Sequence, residues 1–118
     1  MMLPTLERPR GGLEPEVPLR LTAAVEIPEG GVVSRQLLKR GGGNLTLFAM
    51  QGGQTIEEHT SPYDAVVVVL EGSVELTIGG RPVTASAGEA VLMPAGVPHA
   101  LAAREDFKML LVMLRDGS

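Results

Sequence analysis

From Leu21 to Leu114 the chain is a succession of short apolar runs, each cut off by a turn signal. Gly30-Gly31, Gly41-Gly42-Gly43-Asn44, Gly52-Gly53, Gly79-Gly80 and Ala95-Gly96 mark the breaks. No stretch between them carries a long, clean helical period. Short strands separated by closely spaced turns restrict a chain to an all-β sandwich or barrel.

The strands can be read from side-chain alternation. Leu45, Leu47 and Ala49 share one face of a strand, and Thr46, Phe48 and Met50 share the other. In Ser73–Ile78, Val74, Leu76 and Ile78 form an apolar face opposite Glu75 and Thr77. Gly79-Gly80 then predicts a two-residue hairpin turn into Arg81-Pro82-Val83-Thr84. Ala65–Leu70 and most of Met109–Leu114 are apolar on both faces. Such strands are buried twice, within a double-layered barrel or beneath a partner subunit.

A chain of 118 residues holds one domain and one sizeable core. Residues 1–20 contain four of the nine prolines and read as an N-terminal arm; residues 21–118 form the barrel domain. A net charge of −4 supplies no basic patch for phosphates, and 3% aromatics supply no stacking platform, so nucleic acid is not an expected partner. The longest apolar run, Ala65–Leu70, is too short to span a bilayer. With no cysteine, disulfide and thiolate chemistry is excluded. Met1–Arg10 has prolines and a glutamate where a signal peptide needs an apolar stretch, so a cytoplasmic location is expected.

The two histidines organise the functional reading. His59 lies six residues after Gly53, and the chain continues through Ser61-Pro62-Tyr63-Asp64-Ala65 to Gly72. His99 ends a stretch containing Gly88, Pro94 and Gly96. In glycines, proline and spacing these stretches resemble the two signature motifs of the cupin family. The resemblance covers roughly Leu45–Leu114 and implies a jelly-roll β-barrel. It also implies a metal held by His-x-His and Glu of the first motif and His of the second. Here the second histidine position is Ser61, the glutamate position is Ala65, and the final asparagine of the second motif is Ala103. Within the family the segment is similar to a subgroup of small single-domain proteins that lacks the same two ligands.

Residues 59, 61 and 65 share parity, so on a regular strand all three face the barrel interior. The expected ligand pocket comprises His59, Ser61, Tyr63, Met50, Met93 and His99. Two histidines predict weak binding of a divalent metal such as iron, manganese, nickel or zinc. Asp64 is a further candidate ligand, but its parity is opposite and requires a bulge to turn it inward; capping a turn or pairing with a cation is the plainer role. A buried histidine is also often an ordinary hydrogen-bonded residue, and Met50, Met93, Met109 and Met113 serve equally as adaptable core filler.

Three functions follow from these readings. The first is a binding module that takes a small molecule into the barrel, anchored by His59 and His99. The second is a metal-dependent enzyme of oxygenase or isomerase type with a two-His site. The third is a sensory or structural subunit without catalysis. The doubly apolar Phe107–Leu114 strand and the strand-like pieces of residues 19–38 predict a homodimer.

Overall fold

The computed structural model describes residues 11–116. Residues 1–10 of the expected arm lie outside the described residues. The turn signals delimit β1 (Val32–Arg40), β2 (Gly43–Met50), β3 (Thr55–His59), β4 (Asp64–Glu71), β5 (Ser73–Ile78), β6 (Arg81–Ser86), β7 (Ala90–Met93), β8 (His99–Ala103) and β9 (Phe107–Leu114). They form two antiparallel sheets, one ordered β1-β2-β9-β4-β7 and the other β3-β8-β5-β6. This is the jelly-roll barrel that the turn pattern predicts. The Gly79-Gly80 hairpin is present, with Ile78 opposite Arg81 and positive φ at both glycines (57° and 83°), as a primed turn requires.

Period-2 alternation decides what fills the barrel. The inward residues of β4 (Ala65, Val67, Val69), β5 (Val74, Leu76) and β9 (Phe107, Met109) are all buried. They join Met50, Met93 and Leu101 in one core between the sheets. Burying a side chain of this size contributes about 1.5–3 kcal/mol, so this core carries most of the stability of so small a domain.

The outward residues of β2, β4 and β9 meet a second, smaller core. Leu47, Ala49, Leu70 and Leu110 pack against Leu19, Leu21, Ala24, Val25 and Ile27. The chain's own residues 19–27, which include a short 3-10 turn at Leu21–Ala23, thus cover one end of the sheet's outer face. This qualifies the expectation that a partner must cover the whole second face of β9. Lys108 fastens the cover. Its Nζ donates to Thr22 O at 2.6 Å and stands 3.6 Å from the Glu71 carboxylate. Arg35 ties the preceding segment down by donating to the carbonyls of Ala24 and Gly11, both at 3.1 Å. Among the described residues no helix is long and apolar enough to cross a membrane.

Candidate functional site

β3 and β8 are neighbours, and their register sets His59 directly opposite His99. The ring centroids are 4.4 Å apart with the planes inclined at 69°, edge to face. His99 is 4% exposed and forms the buried end of the pair; His59 is exposed at its outer end. The loop between β3 and β4 and the turn before β8 brace each other. Gly96 N–H donates to Ser61 O at 2.9 Å, and Ala95 N–H donates to Asp64 Oδ1 at 2.8 Å. The two segments that carry the histidines are therefore tied directly to each other.

Each imidazole turns Nδ1 back to the carbonyl two residues earlier. His59 Nδ1 is 2.9 Å from Glu57 O, and His99 Nδ1 is 3.1 Å from Val97 O. A carbonyl only accepts, so Nδ1 carries the proton. In the neutral ring Nε2 then keeps its lone pair. Among the described residues no donor hydrogen-bonds to either Nε2. Each ring thus keeps one bare acceptor nitrogen, and both rings line the interior space.

They border a cavity of about 180 Å³. Ser61, Met93 and Leu101 lie around the histidines, and Phe48, Ala65, Met109, Leu111 and Met113 close the side formed by the five-stranded sheet. No carboxylate is among its lining residues. The lining changes character at Ala65, which stands in register with Met93 on one side and Met113 on the other. Two thioether side chains thus flank the position where the family pattern has a carboxylate.

Of the residues named from sequence, the fold brings His59, Ser61, Met93 and His99 together around the cavity. Met50, Tyr63 and Asp64 are not among its lining residues. Met50 is fully buried in the same core but sits opposite Phe107 at the end of β2. Tyr63 belongs to the loop before β4, where strand parity does not apply; its ring lies 5.2 Å from the Arg115 guanidinium carbon. Asp64 makes no inward bulge and caps the Pro94–Gly96 turn through Ala95 N–H, as the opposite parity suggests. Phe48, Ile56, Leu101, Met109, Leu111 and Met113 complete the cavity, and only their apolar alternation signals them in the sequence.

The metal implied by the family needs a donor set that these residues do not provide. Ser61 Oγ is a weak donor, already accepting from Tyr63 N–H at 3.1 Å, and Ala65 donates nothing. Among the described residues no group of three His, Cys, Asp or Glu side chains gathers to hold an ion. Two imidazoles fall short of the three ligands usual in a catalytic site.

Comparison with known proteins agrees with the fold and the motifs. No curated protein matches the chain. A conserved protein of unknown function from Streptococcus pyogenes is 39% identical; the match covers 91% of this chain and 94% of that one, with a TM-score of 0.85. A cupin 2 conserved barrel domain protein from Leptotrichia buccalis is 35% identical over 82% of this chain and 47% of its own, with a TM-score of 0.79. A cupin superfamily protein from Desulfitobacterium hafniense is 28% identical over 89% and 96%, with a TM-score of 0.82. The profile of the cupin domain matches residues 46–114, which contain both histidine motifs and every residue lining the cavity. This chain belongs to the cupin family.

Proposed function

We propose that the barrel is a binding module whose cavity takes a small guest held by the Nε2 atoms of His59 and His99. The observation that carries this reading is the pair of Nδ1–carbonyl contacts. They leave each ring, both of which line a mostly apolar cavity, with a lone pair that no donor among the described residues satisfies. At His99, which is 4% exposed, an acceptor left without a donor costs about 1–3 kcal/mol. A guest that supplies a proton donor or a positive charge removes that cost. The cavity's 180 Å³ suits a benzene-sized molecule, since an apolar protein cavity of about 150 Å³ accepts benzene. The missing carboxylate and second family histidine weigh against the enzymatic alternative. The cytoplasmic setting expected from sequence belongs to the same proposal.

The test is a titration followed by NMR. Phenol should perturb the methyl groups of Met93 and Met113 and bind at least as tightly as toluene, although toluene is the more apolar. A hydrogen bond worth about 1 kcal/mol makes the difference. If neither guest perturbs the cavity residues, the binding reading fails.

The same proposal includes assembly as a homodimer. On the outer face of the five-stranded sheet, register aligns Leu92, Val66, Val112 and Leu45 in one row across β7, β4, β9 and β2. Leu38 extends the row on β1 opposite Leu45, and with Leu114 these two leucines line a shallow apolar cleft. Leu92 is 54% exposed and Leu114 52%. The row meets the small core at Leu45 and otherwise lies outside it. A second copy, placed by a two-fold axis, covers it with the same residues. Light scattering should give twice the 12.4 kDa chain mass, and Leu92→Glu should shift the protein towards monomer. A wild-type mass near 12.4 kDa at micromolar concentration would refute the dimer.

A further inference from the structure

Sulfur chemistry in this chain is confined to methionine, because it has six methionines and no cysteine. We infer that Met113 is a site of oxidation by hydrogen peroxide, and that its conversion to methionine sulfoxide decides which guests the cavity accepts. This rests on the binding-module reading and adds a means of regulating it.

Position separates Met113 from the other interior methionines. Met50 is 0% exposed, Met109 1% and Met93 2%. Met113 lines the same cavity as Met93 and Met109 but is only half-buried. Oxidation favours the sulfur that solvent reaches. Val112 and Leu114, its neighbours on β9, belong to the outer face offered to a second copy, whereas Met113 lies on the cavity side of the strand. Dimer formation therefore leaves it uncovered. The cavity meets solvent beside His59, which lines it and is exposed, so a molecule as small as hydrogen peroxide has a way in. No thiolate competes for the oxidant.

The reaction is a two-electron oxygen transfer. A sulfur lone pair attacks one peroxide oxygen, the S–O bond forms and the O–O bond breaks. The proton of the transferred oxygen passes to the departing hydroxide, which leaves as water. Sulfur is oxidised and the peroxide is reduced. The product changes an apolar side chain into a polar one. Around it stand Phe48, Leu101, Met109 and Leu111, which offer no side-chain donor. The imidazole Nδ1–H groups are already directed to Glu57 O and Val97 O. Ser61 is the one hydroxyl in the lining. A sulfoxide oxygen beside a purely apolar guest is therefore a poorly served acceptor, and it disfavours that guest. A guest with its own hydroxyl can donate to the sulfoxide and keeps more of its affinity.

The experiment treats the full chain with hydrogen peroxide, follows each methionine by fragmentation mass spectrometry, and then measures toluene and phenol binding once the peroxide is removed. Met113 should convert at least about tenfold faster than Met50, Met93 or Met109. Toluene should weaken by about tenfold or more in step with that conversion, and phenol by less. Met113→Leu nearly conserves volume. Whatever its own affinity for toluene, that variant should bind it equally before and after treatment. It keeps Met1 and Met2, so any contribution they make would remain visible. Equal oxidation rates at Met113 and Met93 overturn the assignment. So does complete oxidation of Met113 with unchanged toluene binding, or a peroxide response that survives in Met113→Leu. Each of these leaves the binding module standing; failure of the untreated protein to bind either guest removes both readings.

Discussion

Replacing Gly72 by alanine is expected to destabilise the fold by about 3–5 kcal/mol, a large part of the stability of a domain this small. Gly72 is the single residue between β4 and β5, where the chain leaves one sheet for the other. Its φ is +77°, and an added Cβ would stand 2.1 Å from the backbone oxygen of Asp106. The left-handed conformation alone costs a residue with a side chain about 1–3 kcal/mol. The clash adds more, because the atom in the way belongs to the backbone. Relieving it displaces the start of β9, where Phe107 is fully buried, and with it the strand that carries Met109 and Met113. Gly80→Ala is the control. That glycine has φ +83° and nothing within 4 Å of its added Cβ, so it bears the conformational cost alone. Urea denaturation should separate the two variants by at least about 2 kcal/mol. Equal losses would mean that the contact at Asp106 carries no weight.

The second large effect concerns the histidine pair. His59→Ala and His99→Gln should each weaken phenol by up to about tenfold, the worth of one hydrogen bond. The double variant should bind phenol no better than toluene. Toluene itself should be nearly indifferent to either change, since it offers no donor. Stability should respond differently at the two positions. His59 is exposed, so its replacement should stay within about 0.5 kcal/mol of wild type. His99 is 4% exposed, and its replacement should cost more. A variant pair that retains the full preference for phenol would show that the guest is held by other groups.

Some of this site is legible in the sequence because two strict periods generate it. His59 and His99 meet because each falls at a motif position on a strand, and the strands pair in register. Met93, the last residue of β7, reaches the cavity for the same reason, whereas Ser61 lines it from the loop after β3. The faces of β2 were readable from Leu45–Met50, where the outward residues join the small core and Phe48 and Met50 the large one. Tyr63 shows where the rule stops. Residues 60–63 leave the strand, so counting by twos from His59 loses its meaning before β4 begins. The register shift between Ile56 and His59 breaks the count within β3 as well. Met109 and Met113 were visible only as apolar interior, because their role depends on which strands flank β9. Nothing local in Met113 says that it will stand opposite Ala65. The cover provided by residues 19–27 was hidden too, since it is made by a segment with little periodicity and secured by one long-range lysine.

The central claim is that both histidines present an unprotonated Nε2 to the cavity. Long-range proton–nitrogen correlation NMR of nitrogen-15-labelled protein, with the rings in their neutral form, reads this directly. Both rings are expected to be Nδ1–H tautomers, each with a pyridine-like Nε2. Finding the Nε2–H tautomer in His99 or His59 would contradict it, because that ring would offer a donor where a lone pair is required.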